Sequence, residues 1–137
     1  MAYVSQEMKR VKAPAIKAVL AKYGVKGSIS VGNHSSLVVT LKEGALDLIG
    51  EANKSNREVA ERRNERFYPV EGNYSVNTYW IDDHYKGKIR SFFKELLAAM
   101  RGNDWFDESD SMTDYFHTAF YTDINVGRWN KPYVYSK

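Results

Sequence analysis

The chain has 137 residues, a formal net charge of +3, 43% hydrophobic and 14% aromatic residues, and no cysteine. That apolar content suffices for a core and excludes general disorder, and the lack of cysteine excludes disulfides, zinc–thiolate sites and cysteine nucleophiles. Mild basicity is compatible with an anionic partner without identifying one.

A first helix is predicted over about residues 5–23, with Ser5 as N-cap and Gly24 as a left-handed stop. Met8, Ile16, Val19, Leu20 and Tyr23 form its apolar side, and Lys9, Arg10, Lys12, Lys17 and Lys22 make the other side basic. Pro14 either kinks this helix or stands in the first turn of a later start. Residues 28–44, "SISVGNHSSLVVTLKEG", read as a β-hairpin. Ile29 and Val31, then Leu37, Val39 and Leu41, recur at the period of two expected of half-buried strands. The predicted turn runs from Gly32 through Asn33, His34 and Ser35 to Ser36, longer than a tight hairpin needs.

Residues 45–72 begin with Leu46, Leu48 and Ile49 and then become charged, with Arg57, Arg62, Arg63 and Arg66 set against Glu58, Glu61 and Glu65. Low apolar content makes 50–72 an expected surface insertion, a short helix and then a mobile loop, within a single domain spanning 1–137. A third strand is expected at about 73–81, with Tyr74, Val76, Thr78 and Trp80 on one face. Asp82 or Asp83 is expected to cap the next helix. There Ile89, Phe92, Phe93, Leu96, Leu97 and Met100 follow the spacing of one buried stripe, and Gly102 is the stop. Residues 103–115 are acidic. A fourth strand is expected at about 116–126, with Phe116, Thr118, Phe120, Thr122, Ile124 and Val126 on one face. The tail "GRWNKPYVYSK" is basic and aromatic.

The order α-β-β-(insertion)-β-α-β predicts an α+β fold. Two helices would pack on one face of a four-stranded, mainly antiparallel sheet, leaving the other face to solvent or a partner.

The segments "YVSQEMK", "APAIKAVLAKYGVKGSISV", "HSSLVVTLKEG", the later "YW…H…GK…F…ELLAAM" and the closing "DSMTDYF…YTDINVGRWNKPY" together resemble a small family carried by phages and other mobile elements, associated with the large polyvalent protein-associated domains. The resemblance spans nearly the whole chain apart from 50–72. It implies a bacteriophage or plasmid accessory protein and supplies no site residues.

Chemistry-bearing candidates are few. The hairpin tip of Asn33, His34, Ser35 and Ser36 presents polar groups that suit a phosphate or a base. His34 beside Ser35 has no G-x-S-x-G elbow, so no hydrolase is indicated. His34, His84 and His117 lack metal-ligand spacing, and the acids of 103–115 do not follow a calcium-loop pattern. No catalytic residue, metal or cofactor is therefore expected. Trp105, Trp129 and Tyr133 are candidate contacts, because large amphipathic aromatics suit base stacking or a protein hot spot. Arg57, Arg62 and Arg63 add basic side chains.

The expected function is non-enzymatic binding to a host protein complex, with inhibition of a host defence system such as CRISPR as the concrete case. The alternative is a nucleic-acid or nucleotide binder that uses basic and aromatic surface residues. "MAYVSQEMKR" carries no apolar run, and no stretch approaches the roughly 20 apolar residues of a membrane span, so a cytoplasmic protein away from membranes is expected. The sequence leaves the oligomeric state open.

Overall fold

The computed structural model describes residues 3–33, 35–67, 69, 72–76, 78, 81–102, 105, 120–128 and 130–135. The Ser5 side chain accepts a hydrogen bond from the Met8 N–H at 3.1 Å and starts helix α1 (Gln6–Tyr23). Gly24, with φ 69°, ends it. Pro14 lies inside α1, so the helix does not begin there.

Strands β1 (Val25–Gly32) and β2 (Ser36–Gly44) form the antiparallel hairpin, with Ile29 opposite Val39 and Val31 opposite Leu37. The strands run further than predicted, because Gly32 pairs with Ser36. The five-residue turn is therefore a three-residue one. The Ser35 N–H closes it on the Gly32 carbonyl at 3.1 Å, and Asn33 takes φ 51°, a region asparagine tolerates.

Helix α2 (Leu48–Arg62) occupies most of the segment expected to be an insertion. Asp47 caps it by accepting from the Gly50 N–H at 3.0 Å, and Leu48, Ala52 and Ala60 are buried. Alanine buries little area, so the stripe is faint in hydropathy. The many Glu, Arg, Lys and Ala residues are nonetheless strong helix formers.

Strand β3 (Tyr74–Ser75) is much shorter than the strand predicted at 73–81. The single-turn helix α3 (Ile81–His84) precedes α4 (Gly87–Arg101). The N-cap of α4 is Lys86, without a side-chain cap bond, so neither Asp82 nor Asp83 caps it. Asp82 instead pairs with Lys94 at 3.1 Å. All six residues of the predicted stripe on α4 are buried. Strand β4 (Tyr121–Val126) matches the second half of the predicted fourth strand; residues 116–119 lie outside the described ones. Strand β5 (Val134–Tyr135) ends the described chain.

Among the described residues the sheet is mixed and five-stranded, where a four-stranded, mainly antiparallel one was expected. β2 is central. It pairs antiparallel with β1 on one side and parallel with β4 on the other. β3 adds antiparallel to β4, and β5 pairs parallel with β2 at Glu43 and Gly44. The long crossover through α2 and α4 permits the parallel pairing, which a short turn cannot make. β4 and β5 thus lie one after the other along the same edge of β2, and residues 127–133 leave that edge and return to it.

α1 and α4 pack on each other and on one sheet face. The core between them holds Leu20, Leu37, Val39, Leu41, Phe92, Phe93 and Ile124, with Tyr23 edge-on to Phe92 at 5.2 Å. On the outside, Glu95 joins the two helices by accepting from Lys22 at 2.7 Å and from the Tyr23 hydroxyl. Those hydrogen bonds, Lys22 first, hold its carboxyl below the usual range. Among the described residues no helix is long and apolar enough to cross a membrane.

Candidate anion-binding cavity

Leu37, Val39 and Leu41 of β2 are buried toward the helices, so the alternating Ser36, Val38, Thr40 and Lys42 lie on the open face. Strand register builds three rows there. Gly32, Ser36 and Tyr121 form the first, Ser30, Val38 and Asp123 the second, and Ser28, Thr40, Asn125 and Ser75 the third. Most of these side chains are small and polar, and the Ser75 hydroxyl donates to Asn125 Oδ1 at 2.8 Å. Tyr121 is 50% exposed and is the large aromatic of the face.

Beyond the third row, the 127–132 loop folds beside Thr40 and encloses a cavity of about 230 Å³. Among the described residues its walls are Thr40, Leu41, Lys42, Gly127, Arg128, Lys131 and Pro132, none of them acidic. Thr40 is only 5% exposed and is the one buried residue with a non-aromatic polar side chain among the described residues. Lys42, Arg128 and Lys131 are exposed, and none forms an ion pair with another described residue. Three cations around a nearly buried hydroxyl favour an oxyanion, with the arginine fork able to donate twice to one phosphate.

The loop is held in place by backbone and one tyrosine. The Gly127 N–H donates to the Leu41 carbonyl, and the Tyr133 N–H donates to the Gly72 carbonyl, both at 2.8 Å. Arg128 and Lys131 bond each other's backbone at 2.8 and 3.1 Å and tighten the tip. Tyr133, expected as a surface contact, is buried, and its hydroxyl donates to the Leu46 carbonyl at 2.9 Å. Burial, and then the negative charge of Asp47, pushes its ionisation up to about 12. Tyr133→Phe should cost about 0.5–1.5 kcal/mol in urea unfolding, the net worth of one hydrogen bond, since the Leu46 carbonyl keeps the Leu48 N–H at 3.0 Å. An unchanged midpoint would place Tyr133 outside the anchor.

The other predicted site residues do not converge on the cavity. Asn33 and Ser35 sit at the hairpin tip, where the Ser35 carbonyl accepts from the Tyr121 N–H at 2.8 Å. His34, His117 and Trp129 lie outside the described residues. Arg57, Arg62 and Arg63 are exposed at the C-terminal end of α2. The Arg57 guanidinium stands 5.0 Å from the Phe67 ring centre, and Arg62 lines a cavity of about 190 Å³ where Glu51 and Glu58 stand beside Lys54 and Lys86, Glu58 pairing with Lys86 at 3.7 Å. Trp105 is a packing residue: its Nε1–H donates to the Phe120 carbonyl at 2.7 Å, and Arg101 stacks 3.8 Å above its ring. His84 lines a separate cavity with Ser55, Tyr74 and Tyr85. There the Tyr74 hydroxyl donates to the Leu48 carbonyl at 3.0 Å, and burial raises its ionisation far above the ordinary range.

The residues missed from sequence are Thr40, Lys42, Arg128 and Lys131. Strand alternation assigns the first two to the open face. The last two stand in a tail that is visibly basic. Their meeting depends on β5 rejoining β2, for which the sequence has no local signal. No model of a known protein family, no curated protein and no solved structure matches the chain.

Proposed function

We propose that this protein is a binding protein whose ligand is a nucleic acid, held by a backbone phosphate in the cavity of Thr40, Lys42, Arg128 and Lys131. The observation that carries the reading is three cations, none in an ion pair with another described residue, around one nearly buried hydroxyl. Nucleic acid is favoured over a free phosphate because the cavity opens onto a polar sheet face with an exposed tyrosine. From Ser36 to Lys42 that face extends for about 20 Å, a surface far longer than one phosphate occupies. The test is fluorescence anisotropy of a labelled single-stranded oligonucleotide over a range of salt. Affinity should fall with salt. The triple variant Lys42→Ala, Arg128→Ala, Lys131→Ala should reduce the log–log slope by about 0.7, as expected for one lost phosphate contact on a single strand. Full affinity with an unchanged slope in the triple variant would refute the reading.

A second reading, contact with a host protein as in inhibition of a defence system, draws on the resemblance of the sequence and on one surface. Val11 is 71% exposed and lines a groove of about 280 Å³ with Met8, Trp105 and Phe120. Capture from a host lysate with and without nuclease separates the two. Loss of the captured material on nuclease treatment supports nucleic acid, and retention of a protein supports the second reading.

A further inference from the structure

Resting on the nucleic-acid reading, we infer that the ligand is single-stranded and that Asp123 makes the sheet face favour cytosine over thymine. Among the described residues the face is a sheet surface that carries no helix, the element that most often enters a duplex groove. Its exposed aromatic, Tyr121, offers a stacking platform, and stacking needs an unpaired base. Asp123 follows two positions along β4 on the same side, about 7 Å away. It is exposed, and it forms no ion pair with another described residue.

Charge then sets the direction of the strand. The phosphates are repelled by Asp123 and drawn to Lys42, Arg128 and Lys131 beyond the next row. The bases therefore lie over Asp123 and Tyr121. A carboxylate only accepts hydrogen bonds. Cytosine presents its N4 amine, a donor with two hydrogens at the rim of the ring, whereas an unpaired thymine offers only N3–H, flanked on both sides by the O2 and O4 acceptors that meet the carboxylate lone pairs. Asn125, two positions further along β4, can donate as well as accept, so it does not share this bias.

The experiment is anisotropy with labelled oligodeoxycytidine and oligothymidine of equal length, on the full chain and on Asp123→Asn and Tyr121→Ala. The full chain should bind the cytidine strand about tenfold tighter. Asp123→Asn should bring the two affinities together, since the amide also donates. Tyr121→Ala should weaken both strands while preserving their ratio. Equal affinities for the two strands, with the salt dependence intact, would overturn the base preference and leave the cavity reading standing. Competition by a duplex as strongly as by its single strands would overturn the single-strand assignment. Binding of neither strand would overturn the cavity reading itself.

Discussion

Phe93→Ala should destabilise the protein by about 3–5 kcal/mol, the cost of emptying a fully buried aromatic site. Phe93 has no exposed surface. Its ring lies 4.7 Å from that of Tyr85 and 5.3 Å from that of Phe92, so its removal deprives two neighbours of packing at once. The backbone of α4 is continuous on both sides of it and limits how far the site can collapse. Domains of this size are stable by only about 5–15 kcal/mol, so the loss is a large share of the total. Urea unfolding followed by circular dichroism measures it. A variant with the parental midpoint would contradict the placement of Phe93 between α4 and the sheet.

Gly127→Ala should damage both stability and the cavity. Gly127 has φ 70°, and a Cβ there would lie 2.4 Å from the Gly72 carbonyl oxygen and 2.6 Å from the Tyr133 nitrogen. The left-handed backbone alone costs a side chain about 1–3 kcal/mol. The contacts are with backbone atoms, so no rotamer change relieves them, and the 127–133 loop must move. That movement displaces Arg128 and Lys131 from the cavity wall. Gly87 provides the control, because it has φ 58° and nothing within 4 Å of an added Cβ. Gly87→Ala should show the backbone cost alone and leave oligonucleotide affinity unchanged. Equal destabilisation by the two variants, with affinity retained in both, would contradict the packing of the loop against Gly72 and Tyr133.

The elements readable from sequence are those whose signals are local. Ser5 and Gly24 bound α1, the apolar stripe and Gly102 mark α4, and period two marks the hairpin. α2 was underestimated because two of its three buried residues are alanines. The parallel pairing of β2 with β4 has no counterpart in the residue pattern, since an alternating strand looks the same beside either kind of neighbour. The same limit applies to the candidate site. Tyr133 looked like a surface aromatic because its neighbours in sequence are polar and basic, yet its partner carbonyl at Leu46 is 87 positions away. Trp105, which its acidic surroundings allow as either a core anchor or a protein contact, is fixed by Phe120 and Arg101. Lys42 and Lys131 meet across a cavity only because the tail returns to the edge of β2.

A titration of the ¹⁵N-labelled protein with a single-stranded oligonucleotide, followed by amide chemical shifts, locates the bound strand directly. Shifts should concentrate at Thr40, Lys42, Asp123, Asn125, Arg128 and Lys131, the residues of the open face and its cavity. Shifts confined to α1, α2 or the surroundings of Trp105, with those six amides unmoved, would contradict binding at the open face.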